Sequence, residues 1–528
     1  MLVNLKPVLS FVVVLCAVSA SAQLVTGSIE DRSRYLLHTV KWTTKEKQGF
    51  QDGNNVIQIE KTGTKLQTAY TVRFDGTKHA INITKVDANG KQIAENQLEG
   101  GEKVFGPVFS KPIEFAGKIL LFYFKYLDKD SMKLYVSEVD RNSLQLTNTR
   151  HLYSYQQDNV GIFKLEKALS KEITLQLSED RSKLLVVFPG SKEELFSCVF
   201  DNNVQPIRQK ISRLAGTEDL TLSDVYVDNK GNDVVALSKK LYSFETFNST
   251  MVKKMLLQKT NNSEKLVDVE TWAGQTELHN VRFKASKDDS KVYMFGDYAG
   301  NIGNAGIWFS EIQADKFTMV KPKMIPYPDD FKKRVYDIGF GEKKRGEYGI
   351  VDADLQLAEM DNGDVAVCGS PLLRHDGTYN DANGKSRGYI TYFAGPVMIA
   401  FLKAKNQSTF TLIPRYQNYC GGSTSLFIPY HDKLVVVYND YAKYINSELT
   451  DKVDPIRINM VRELSLASAV VNKDGTIENR KMLAEGIARM NFFDISSKEI
   501  VSDKKWVIPS AATDKETDQM KVAVVTVE

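Results

Sequence analysis

The chain has 528 residues, of which 42% are apolar and 26% charged. That mixture excludes disorder, collagen and coiled coil, and predicts a globular fold with a sizeable core. Its 69 basic and 66 acidic side chains leave a net charge of only +3, so no chain-wide field marks nucleic acid or an anionic membrane as the partner.

At the start of the chain, Lys6 precedes an apolar run over residues 8–18 and the small-residue site Ala20-Ser21-Ala22. Together they predict a secretory signal peptide over residues 1–22, cleaved before Gln23. Cys16 invites a lipid anchor, but Leu15 stands where lipidation sites want a small residue. No later run reaches about 18 apolar residues, so no transmembrane segment is expected. The expected address is exported: periplasmic, cell-surface or extracellular. The leader has a bacterial character, which makes the glycosylation sequons at Asn82, Asn248, Asn261 and Asn406 incidental. Beyond the leader Cys198, Cys368 and Cys420 remain, too few for a cysteine-stapled scaffold.

Two local signals then recur along the chain. The first is a polar turn ending in Lys or Asp followed by a continuous apolar run, the pattern of a strand buried on both faces. It begins at Lys118, Lys183, Asp233, Lys291, Asp364, Lys433 and Lys521. The second is a hairpin whose tip carries residues that tolerate positive φ. Its tips fall at Asn89-Gly90, Asn142, Asn202-Asn203, Asn261-Asn262, Asp315, Asn406 and Asp474-Gly475, spaced by 53, 60, 59, 54, 91 and 68 residues. The two signals alternate strictly, hairpin first and buried strand last.

A unit of this length with about four short strands is the mark of a propeller blade. The chain resembles secreted seven-bladed β-propellers at the level of architecture, over nearly all of residues 23–528. No Trp-Asp dipeptide, kelch glycine pair, YWTD run or Asp-box ties it to a named propeller family. The expected fold class is therefore all-β, a single propeller domain of seven blades, with the C-terminal strand at 521–527 joining the first hairpin. Residues 23–74 offer extra strands that would make eight blades or a small preceding hairpin module. The competing architecture is a pair of β-sandwiches.

Connection lengths point to a site. From buried-strand marker to hairpin tip, the stretches starting at 364 and 433 run 42 and 41 residues, against 19 to 28 elsewhere. The implied insertions, 370–389 and 438–455, belong to adjacent units and should rise from one rim as long loops, joined by 327–350 and 416–425. They carry Arg374, His375, Tyr379, Asp381 and Arg387, then Tyr441, Lys443 and Tyr444, with Tyr416 and Tyr419 between. Tyrosine offers a flat apolar face with a hydroxyl, suited to sugar rings and extended peptides alike. The same residues would also serve simply to pin the loops down. Cys368 and Cys420 fall on this rim and are candidates for a disulfide that would tether the first insertion.

Chemistry is thinly marked. The six histidines are scattered, with no HxxxH, HExxH or Cys/His cluster, so no metal site is expected. Calcium is the one cofactor with any support, from Asp352-Ala-Asp354, Asp361-Asn-Gly-Asp364 and residues 376–383, whose composition equally suits plain turns. No GxSxG elbow, P-loop or dinucleotide fingerprint appears. The basic runs Lys332-Lys333-Arg334 and Lys343-Lys344-Arg345 are solvated loop charge or a means of capturing an anion. The expectation is a monomeric, non-enzymatic binder of a glycan or envelope protein. The alternative is a polysaccharide hydrolase or lyase with acidic groups near a central channel.

Overall fold

The computed structural model describes residues 25–31, 47–62, 65–68, 71–74, 80–87, 91–99, 110–128, 131–156, 173–190, 193–217, 219–240, 250–274, 276–298, 306–333, 355–370, 372–380, 385–402, 408–415, 417–418, 425–441, 445, 464–484, 493, 495, 498–502, 504–509 and 521–527. Contacts divide the chain into two compact units, one of residues 37–326 and one of residues 1–36 with 327–528.

Both units are built from four-stranded antiparallel meanders. In the 37–326 unit the first sheet comprises Lys47–Asp52, Asn55–Thr62, Ala80–Val86 and Gln92–Glu99. The second spans 110–156, the third 174–213, the fourth 221–268 and the fifth 278–326; the last two are joined by the single pair Met251 and His279. In the other unit the sixth sheet comprises Gln356–Glu359, Val365–Gly369, Val397–Leu402 and Ser408–Ile413. The seventh comprises Ser425–Tyr430, Lys433–Tyr441, Leu464–Asn472 and Ile477–Ala484. The eighth runs in the order Val25–Asp31, Lys521–Val527, Lys505–Pro509, Glu499–Ser502.

Local chemistry explains the strands. Lys118–Asp128 sends Ile119, Leu121 and Tyr123 into one core with Ile57, Ile59, Ile81 and Ile83 of the first sheet. Its alternate residues Leu120, Phe122 and Phe124 enter another with Leu184, Val186 and Phe188 of the third. A strand buried on both faces must be apolar at every position, which is why its sequence shows no alternation. The turn before it is a two-residue hairpin with both central residues at positive φ, Ala116 at 52° and Gly117 at 73°. In the third and fifth sheets the same step uses the hexapeptides of 178–183 and 286–291. There Asp180 accepts from Ser178 Oγ (2.7 Å) and Ser182 N (2.8 Å), and Asp288 from Ser286 Oγ (2.7 Å) and Ser290 N (3.0 Å).

Cores are shared serially: first with second sheet, second with third, third with fourth and fourth with fifth in one unit, sixth with seventh and seventh with eighth in the other. A two-layer sandwich would leave one face of each sheet to solvent. Here the second, third, fourth and seventh sheets are covered on both faces, so the sandwich alternative is set aside.

All seven expected buried strands and all seven expected hairpins are present as antiparallel pairs. The expected junction of the chain ends is corrected. Lys521–Val527 pairs not with the 80–99 hairpin but with Val25–Asp31, from Val25 opposite Val527 to Asp31 opposite Lys521. The first hairpin takes its inner strands from its own neighbourhood, where Phe50, Ile57 and Ile59 supply the buried face. Lys65–Thr68 and Thr71–Phe74 form a separate small hairpin between the second and third strands of that sheet.

Candidate functional site

The two expected insertions leave neighbouring sheets. Gln356 Nε2 donates to Ser425 O (3.3 Å) where the first strands of the sixth and seventh sheets begin, and Asp361 N donates to His431 O (3.2 Å) just beyond where they finish. Those strands therefore run in the same direction. Their antiparallel second strands both return to the Gln356 and Ser425 end, terminating at Gly369 and Tyr441. The connections that follow depart from one end of the unit.

The first of them is not the structureless loop expected from its length. Leu372–Asn380 and Ser386–Ala394 pair over nine residues without a bulge, and Phe393 and Ala394 pair onward with Asn418 and Gln417. Its tip carries hard turn residues while Leu372, Leu373, Ile390, Tyr392 and Phe393 favour strand, so the segment closes on itself. In this register Arg374 stands opposite Tyr392, His375 opposite Thr391, and Tyr379 opposite Arg387. Tyr441 ends the second strand of the seventh sheet opposite Leu464. Asp381, Tyr416, Tyr419, Lys443, Tyr444 and Cys420 lie outside the described residues, as do Asp352, Asp354 and the basic run 343–345. Cys368 is fully buried in the strand before the hairpin.

Beneath this end lies a polar cluster that the sequence does not announce. Arg415 is buried, yet its Nη2 donates to Ser370 Oγ (2.7 Å) and Gly395 O (3.3 Å), and its Nη1 to Ser425 Oγ (3.2 Å). Burial pushes its guanidinium down to about 10, with Asp440 and Tyr438 opposing. Arg480 donates to Tyr438 Oη (3.3 Å) and reaches buried Asp440 Oδ2 (3.4 Å). Burial, with Asp440 adding, drives the Tyr438 phenol up to about 12. Asn439 exchanges two bonds with the Phe493 backbone (2.9 and 3.1 Å). At neutral pH Arg415 stays charged and Tyr438 neutral, which suits support rather than proton transfer. A signal existed for Asp440, a charge closing a run otherwise buried on both faces; Arg415 had none, because its partners come from three separate connections.

In the other unit, the corresponding end of the fourth and fifth sheets gathers acids. A bulge between Leu222 and Asp224, and another between His279 and Arg282, interrupt the first strands of these sheets. Bulges of this kind re-aim side chains. Half-buried Asp224 accepts from Val225 N (3.0 Å), and burial raises its carboxyl to about 6 against the pull of Arg282. Asp297 is buried, accepts from Asn280 Nδ2 (2.8 Å), and is raised by burial with His279 and Arg282 opposing; its Oδ2 meets no hydrogen-bond partner among the described residues. Asn280 adopts a left-handed φ of 49°. Buried His279 lies 3.8 Å from Glu277. A carboxyl that ionises near neutrality is what general acid or base work needs.

Asp224 also makes stability pH-dependent. Its folded pKa lies above its ordinary value, so the folded state holds the proton more tightly; the stabilisation is complete below about pH 4 and lost as pH rises through 6. Asp224→Asn should gain on wild type by up to about 3 kcal/mol across that window. Urea unfolding of both proteins between pH 4 and 7 measures this, and a constant difference would remove the argument.

The described residues contain no group of three metal-ligating side chains. The segment Asp361 to Asp364 closes as a turn, with Asn362 donating to Asp364 (2.8 Å) and Asp364 N to Asn362 (3.0 Å). No helix among the described residues is long and apolar enough to cross a membrane.

No protein-family model matches the chain, and no curated protein matches it. Among solved structures it is similar to the WD40 domain of SCAP from fission yeast, at 10% identity over 95% of this chain and 98% of that one, with a TM-score of 0.34. It is similar to the α-L-arabinofuranosidase Arb93A from Fusarium graminearum at 9% identity, over 67% and 91% of the two chains, with a TM-score of 0.32. A putative 6-phosphogluconolactonase from Bacteroides uniformis follows at 11%, 70% and 82%, with 0.30.

Proposed function

We propose that the chain is an exported β-propeller, its four-stranded sheets serving as blades, that binds a polymer or protein partner at the cell envelope without catalysing a reaction. The observation that supports binding is the common departure of both insertions from one end of adjacent sheets. The hairpin among them places Arg374, His375, Tyr379 and Arg387 on a regular ladder rather than on a loose loop, and ordered presentation lowers the entropy lost on binding. Glycans and envelope proteins are the partner classes that the tyrosines in the sequence of these insertions suit.

A binding screen of glycans and envelope fractions tests this reading. Wild type should retain a ligand that the Tyr379/Tyr441/Tyr444 to alanine triple variant binds at least about tenfold more weakly. Equal retention by the two proteins would discard the insertion-bearing end as the binding surface.

A second reading, hydrolysis or elimination on a polysaccharide, is favoured by the grouping of Asp224, Asp297 and His279 at one end of the fourth and fifth sheets. Product release from a polysaccharide panel that disappears in Asp224→Asn and Asp297→Asn, with the triple tyrosine variant unaffected, would replace the binding reading by this one.

A further inference from the structure

The roots of both insertions converge on one buried side chain. Ser370 lies two residues before the 372–394 hairpin and Gly395 immediately follows it, and Arg415 Nη2 bonds to both, at 2.7 and 3.3 Å. Its Nη1 bonds at 3.2 Å to Ser425, the first residue of the neighbouring sheet. Tyr438 and Asp440, at the root of the second insertion, are the charged or ionisable groups that act on the guanidinium from that sheet. Arg480 ties the same two residues to the sheet's outer strand, at 3.3 and 3.4 Å.

We propose that Arg415 is a positioning residue that clamps both feet of the 372–394 hairpin to the neighbouring sheet, so that the hairpin is presented pre-organised beside the root of the second insertion. The planar fork of arginine is what the task requires. It reaches three acceptors on three separate connections in fixed directions, whereas a lysine ammonium on a flexible stem offers a single point charge. The ligand-binding role of the hairpin rests on the proposed function above; the clamp itself does not.

Hydrogen exchange of the ligand-free full chain tests the clamp, comparing wild type with Arg415→Lys, Arg415→Met and Ser370→Ala. Amides of 372–380 and 386–394 should exchange about ten- to a hundredfold faster in both Arg415 variants. Those of 505–509 and 521–527 should keep wild-type protection. Ser370→Ala leaves the guanidinium with its other acceptors and should loosen only the 372–380 side, by about tenfold; it decides the matter if the Arg415 variants do not fold. Wild-type exchange of the hairpin in Arg415→Lys, uniform loosening of all strands, or no change in Ser370→Ala would each overturn the proposal. Because no ligand is present, a failed clamp and a failed binding screen are separate results.

Discussion

Asp233→Ala should cost about 3–5 kcal/mol of stability. Asp233 and Arg208 form an ion pair whose side chains are both fully shielded from solvent. Arg208 Nη2 donates to Asp233 Oδ1, while Arg208 Nε and Nη1 and Asp233 Oδ2 meet no partner among the described residues. Burial pushes the Asp233 carboxyl upward and Arg208 opposes it. Truncating one partner strands the other charge in an apolar surround, where it has neither water nor a counter-ion. Removing both is a different experiment. The Arg208→Met/Asp233→Leu protein should return to within about 1 kcal/mol of wild type or exceed it, since desolvating two charges consumes much of what their attraction contributes. Urea denaturation of the single and double variants separates these outcomes, and a single variant no weaker than the double would refute the account.

Trp308→Ala should lose about 3–5 kcal/mol, by transfer and by the cavity left behind. The indole is fully buried, meets Trp272 edge-on at 6.1 Å and 89°, and donates from Nε1 to His279 O at 3.3 Å. Its register partner across the sheet is Gly296. A Cβ at Gly296 would run into both the His279 carbonyl and the indole, so glycine there is a packing requirement. Gly296→Ala should therefore also destabilise, by about 1–3 kcal/mol. Trp308→Phe fills most of the space and should cost less than alanine. Tryptophan fluorescence during equilibrium unfolding serves for the glycine variant and circular dichroism for the others. An alanine variant within about 1 kcal/mol of wild type would contradict this packing.

The strands were legible because burial on both faces leaves an unmistakable trace. At Lys183 and Lys433 a turn residue is followed by Leu184-Leu185-Val186-Val187 and Leu434-Val435-Val436-Val437, and every one of these eight is buried. Hairpin tips were legible because Asn, Asp and Gly favour turns. Among the described tips, though, the left-handed angle falls on them only at Asn262 and Gly475; at three others Leu144, Val204 and Phe317 take it, while Asp140 and Asp201 accept from the turn amides. The meeting of the chain ends was not, because Val25–Asp31, with Thr26, Gly27 and Ser28, lacks the apolar run that marks inner strands. It is an outer strand, and outer strands have one neighbour to satisfy. At the candidate site, connection length marked the two insertions, and the order of the repeating units made them neighbours leaving one end. The hairpin inside the first was hidden by that same length, which reads as a loop until its two apolar halves are paired. Asp233 illustrates the reverse error: as the polar residue opening a strand it looks like turn chemistry, yet it is half of a buried ion pair.

The eighth sheet imposes an order of events on biogenesis. Its penultimate position is filled by Lys521–Val527, which lies between Val25–Asp31 on one side and Lys505–Pro509 on the other. The first-made strand of that sheet therefore waits, its hydrogen-bonding edge unsatisfied, until some 490 further residues have been synthesised. Contacts of such sequence separation form slowly and leave aggregation-prone edges exposed meanwhile. A stop before Lys521 would therefore withdraw an inner rung of this sheet rather than trim its edge.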